Sequence, residues 1–122
     1  MARRRQRNQD KLRAPDVAYE GPDESTLVLR GAMTPKTRAA YQEVHSGAAR
    51  PPGPAREDAW QRSVEFLFER LTISWSVAGT EPLTRQKDLL ARFRFATIEE
   101  RQWIREQLRA HLAAHFPELP AP

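Results

Sequence analysis

The clearest pattern along the chain is a helical stripe between Glu57 and Leu71. Trp60, Val64, Leu67, Phe68 and Leu71 recur at three- and four-residue spacing, while Arg62, Glu65, Glu69 and Arg70 fall outside the stripe. Phe66 lies off it, so either a second surface covers this ring or it is an exposed contact. Thr72 to Val77 then switches to period two, with Ile73, Trp75 and Val77 on one face. That alternation predicts a half-buried strand. Residues Ala78 to Pro82 read as a turn, after which Thr84 is placed to cap a helix with Leu89, Leu90 and Phe93 facing inward. Thr97-Ile-Glu-Glu100 is a capping-box pattern, a hydroxyl three residues ahead of a carboxylate. It opens a helix with Ile104, Leu108 and Leu112 along it, running to about His115, and Pro117 ends it.

Signals nearer the start are shorter. Ser25 to Arg30 reads as a strand, with Gly31 after it. Thr34-Pro35 predicts a helix start, the hydroxyl as cap and the proline at the first helical position. That helix would run to about His45, with Ala40, Tyr41 and Val44 as its contacts. The prolines and glycines that follow predict a loop over residues 46–56. Met1 to Glu24 is polar, is broken by Pro15, Gly21 and Pro22, and has only Leu12, Val17 and Tyr19 as sizeable apolar groups. Such a segment buries too little surface to offset its ordering entropy. The expected architecture is a helix-rich α+β domain over residues 25–117, a two-strand element covered by about four helices. A disordered basic arm (1–24) precedes it and a short tail (118–122) follows. The direction of strand pairing stays open.

Composition narrows the chemistry. Among 122 residues there is no cysteine, which excludes a disulfide framework, a thiol nucleophile and a Cys-ligated metal. No apolar run follows the basic start, and no stretch approaches the roughly 20 apolar residues of a membrane span. The expectation is a soluble, cytoplasmic protein with no membrane partner. The net charge of +4 is unevenly placed. Arg3, Arg4, Arg5, Arg7, Lys11 and Arg13 stand against Asp10, a net of +5, which leaves −1 for the rest. Those six cations could neutralise phosphates without sequence preference, so a nucleic-acid partner is the alternative functional reading. A solvated tail is the plainer one.

Candidate sites are few. His111 and His115 have the i, i+4 spacing that can point two imidazoles at one metal. The general-base position after the first histidine is Leu112, however, and a third ligand, His45 or Glu118, would have to come from afar. Two histidines bordering the core or the helix C-terminus are the expected reading, with no metal and no cofactor. Arg101, Arg105 and Arg109 line one side of the last helix, interleaved with acids that cancel the field a polyanion needs. There is no G-x-S-x-G, G-x-G-x-x-G or P-loop, and the paired carboxylates are adjacent residues that point apart on a helix. The expectation is a protein that is not an enzyme. Trp60 and Trp75 fall on apolar faces and read as core, whereas Trp103 sits at the edge of its stripe and reads as a partner contact.

The order of elements resembles the small tail assembly chaperones of long-tailed bacteriophages. The stations are the short strand Leu27-Val28-Leu29, the Thr34-Pro35 helix start, and a long helix leading into a strand with Trp75. A turn with Pro82-Leu83, a helix capped at Thr84 and a final helix from Thr97 complete them. The likeness spans roughly residues 27–115. It implies a non-enzymatic role: such proteins coat the tape-measure protein, keep it soluble and help tail-tube subunits assemble around it. Phe66, Trp103 and Phe116 are the residues expected to meet that partner. Self-association stays open.

Overall fold

The structure, a computed structural model, describes residues 14–49 and 54–122, the side chains at 48, 49 and 54–60 excepted. Strands β1 (Val17–Glu20), β2 (Thr26–Leu29) and β3 (Thr72–Ser76) form an antiparallel sheet in the order β1-β2-β3. Helices α1 (Pro35–Ala49), α2 (Pro54–Leu71), α3 (Gln86–Arg94) and α4 (Ile98–His115) complete the fold. The α+β class is as expected, but the sheet has three strands where two were predicted.

The added strand, β1, lies in the segment expected to be unfolded. Its alternation is short: Val17 and Tyr19 are half-buried while Ala18 and Glu20 are exposed. Register with β2 places Val17 opposite Leu29 and Tyr19 opposite Leu27. Strand β2 therefore supplies the hydrogen-bonding template and the buried neighbours that four residues cannot supply alone. The arm residues Arg3, Arg4, Arg5, Arg7, Lys11 and Arg13 lie outside the described residues.

Helix starts follow local chemistry. Thr34 Oγ1 accepts from the Thr37 amide at 3.1 Å, capping α1 as predicted. Helix α1 continues to Ala49 and α2 opens at Pro54, so the loop predicted over 46–56 is helical at both ends. Pro54 fits because a first-turn proline lacks only an amide that would be unpaired anyway. The Thr84 cap is also corrected. Leu83 and Trp75 exchange backbone hydrogen bonds at 2.9 and 3.1 Å, which keeps the chain extended and delays α3 to Gln86. Arg85 takes the cap position and offers no side-chain bond.

The core is one cluster shared by sheet and helices. Leu27 and Leu29 of β2, Leu67, Phe68 and Leu71 of α2, and Ile104 and Leu108 of α4 are each fully buried. Phe68 stacks on Phe93 of α3 at 4.7 Å and meets Trp75 edge-on at 5.6 Å. The residues after α4 belong to this body. Leu119 is buried, Tyr41 donates to the Pro120 carbonyl at 2.6 Å, and Arg38 pairs with Glu118 at 2.5 Å. Burial raises the Tyr41 pKa, as befits a phenol that serves only as a donor here. Among the described residues no helix is long and apolar enough to cross a membrane.

Candidate partner-binding surface

The corner between α3 and α4 is fixed from several sides. Thr97 accepts from the Glu100 amide at 3.1 Å, and Glu100 accepts in return from the Thr97 amide at 2.9 Å, completing the predicted capping box. The other oxygen of Glu100 takes Arg92 at 2.5 Å. Burial alone would raise the Glu100 pKa, but the Thr97 amide and Arg92 prevail and hold it below the usual carboxylate range. Arg101 reaches back to the Arg94 carbonyl at 2.7 Å and covers the Phe93 ring.

This braced corner displays two apolar side chains. Phe95 is 85% exposed and Ile98 is 74% exposed, and no other large hydrophobic among the described residues is comparably open. Single exposed apolar groups are ordinary; two flanking one rigid cap are a surface feature. The sequence did carry a signal for them. Both border the Thr97 cap and lie outside the inward stripes of α3 and α4.

Beside the corner lies a cleft of about 410 Å³. Trp75 and Val77 from the β3 side and Trp103 of α4 form its apolar surfaces, while Asp23, Glu99 and Glu100 supply carboxylates. Trp75 is 1% exposed, and its buried indole N–H has no hydrogen-bond partner among the described residues. Trp103 is half-buried against the turn after β1. A Cβ on Gly21 would lie 2.5 Å from the Trp103 ring, so only glycine lets that turn lie against the indole. The non-glycine residues with positive φ gather around the same cleft: Asp23 at 57°, Glu24 at 58° and Ala78 at 51°. Left-handed backbone costs an L-residue about 1–2 kcal/mol, so this rim is held by its surroundings rather than by local preference.

The three residues expected to meet a partner separate here. Trp103 keeps an accessible flank and lines the cleft. Phe66 is half-buried, stacked on Tyr41 at 6.2 Å and covered by Arg70, so α1 is the second surface that accounts for it. Phe116 is 1% exposed and leaves no face for a partner. Pro117 ends α4, and the chain then folds Phe116 inward, with Arg38 over its ring at 5.2 Å.

The histidine pair also resolves. His111 is fully buried, with Nε2 2.7 Å from the Arg30 carbonyl and Nδ1 2.7 Å from the Tyr19 hydroxyl. A carbonyl only accepts, so Nε2 carries the proton, and Nδ1 accepts from the phenol. Both nitrogens are thus committed, and His115, with its ring 4.7 Å away, is exposed. Burial lowers the His111 pKa against the hydrogen bond to Arg30, and the neighbouring His115 lowers it further. Among the described residues no three His, Asp or Glu side chains converge as metal ligands. Of the arginine ridge, Arg101 and Arg105 bond to the chain's own carbonyls, at Arg94 and Pro122.

Compared with known protein families, curated proteins and solved structures, the chain finds no match.

Proposed function

We propose that this protein is a non-enzymatic adaptor or assembly chaperone that holds a protein partner on the α3–α4 corner. The observation that carries the reading is the pair Phe95 and Ile98, exposed on a corner braced by the Thr97–Glu100 capping box and the Arg92–Glu100 ion pair. A rigid apolar display of this kind suits capture of a partner's hydrophobic segment, the helix face of a long fibrous protein included. The order of elements favours a tape-measure-like protein as that partner, met in the host cytoplasm during tail assembly.

Co-expression tests this. A long helical, tape-measure-like protein from the same genome should be markedly more soluble with the wild-type chain than without it. The Phe95→Ser/Ile98→Ser variant should lose that effect while keeping its own thermal unfolding transition. A partner equally soluble with either form, or unaffected by both, would refute the proposal.

A further inference from the structure

We infer that the cleft between Trp103 and the Asp23 turn is a receptor for an arginine or lysine side chain of a partner protein. The inference rests on reading this face as a binding surface and adds the chemistry of what it takes. The cleft combines the accessible flank of Trp103 with carboxylates, and none of the residues lining it is basic. Glu100 is already committed to Arg92 and to the Thr97 amide. Asp23 and Glu99 are exposed and form no ion pair among the described residues, so two negative charges at the rim have no cationic partner within that part of the chain.

A guanidinium or ammonium group satisfies both features at once. Its charge meets the rim carboxylates, and its aliphatic stem lies along the indole. An anion would face three carboxylates. It would also find the first turn of α4, its natural seat, taken by Glu99 and Glu100. A purely apolar group would strip water from Asp23 and Glu99 without replacing it. The protein already uses the favoured arrangement once. Arg92 sits 5.1 Å over the Trp75 ring while pairing with Glu100 at 2.5 Å. The strained rim fits the same reading, because the left-handed turn at Asp23 and Glu24 brings a carboxylate to the cleft edge.

The test uses the full-length, 15N-labelled protein and its indole N–H signals. The probes are the capped peptide Ala-Leu-Arg-Leu-Ala and its counterpart with neutral citrulline in place of arginine. The arginine peptide should shift the Trp103 signal saturably, and the citrulline peptide should bind at least tenfold more weakly. Asp23→Asn/Glu99→Gln should weaken the arginine peptide at least tenfold. Asparagine suits the left-handed turn, and both changes are at exposed positions, so the fold is kept. Equal shifts with both peptides, or none with either, would overturn the inference. So would a Trp103 signal that moves, with no peptide added, when Arg3, Arg4, Arg5 and Arg7 are changed to glutamine, since the chain's own arginines would then be the occupant. Failure here with partner solubilisation intact leaves the Phe95 and Ile98 surface standing; the reverse pattern removes that surface and leaves the cleft.

Discussion

His111 shows how one buried polar side chain can tie distant parts of the sequence together. It joins β1 through Tyr19 and the end of β2 through the Arg30 carbonyl, with no ring nitrogen left over. Tyr19→Phe removes one partner and leaves Nδ1 buried and unpaired, which should cost about 1–3 kcal/mol in urea unfolding. The same site sets a pH dependence. The folded pKa lies below the unfolded value of 6.5, so below that pH the unfolded chain takes up a proton more readily than the folded one. Stability should therefore be full above pH 6.5 and decline as the pH falls through and beneath it. Urea midpoints from pH 8 to pH 5 check this, and a flat profile would count against a buried neutral His111. The sequence placed His111 at the border of the core or at the helix C-terminus and could not supply Tyr19, which sits in a segment whose polarity argued against any order.

At the scale of elements, strong periodicity was readable and its interruptions were not. The Glu57–Leu71 stripe, the Trp75 strand and the Thr97 capping box appear as helix α2, strand β3 and the start of α4. Strand β1 was invisible because its stability comes from pairing with β2, a contact with no local signature. The Thr84 cap failed for a related reason: the Leu83 bridge to Trp75 outweighs a good capping residue. For Phe66 the covering surface offered as one of two alternatives is α1, which the residues around the ring do not encode. The capping box carries its own consequence. Thr97→Ala removes the bond to the Glu100 amide and should cost about 1 kcal/mol of stability. It should also loosen the corner that presents Phe95 and Ile98, so partner binding should weaken by more than the stability change alone explains. Paired thermal melts and co-expression assays measure the two effects separately.

At the scale of the molecule, the burial of aromatic side chains divides structure from surface. Phe116, Trp75 and Phe68 hold the core, while Phe95, Ile98 and the flank of Trp103 gather on one side with the acidic cleft. The residues after α4 pack against α1 through Tyr41, His45 and Arg38. The central claim is that the α3–α4 corner is where another protein sits. A photo-crosslinking amino acid placed at position 98, in cells that naturally express the gene, tests it most directly, with exposed Gln42 on α1 as the control position. The expected result is one discrete protein adduct from position 98 and none from position 42. Adducts equally abundant from both positions, or none from position 98, would contradict the account.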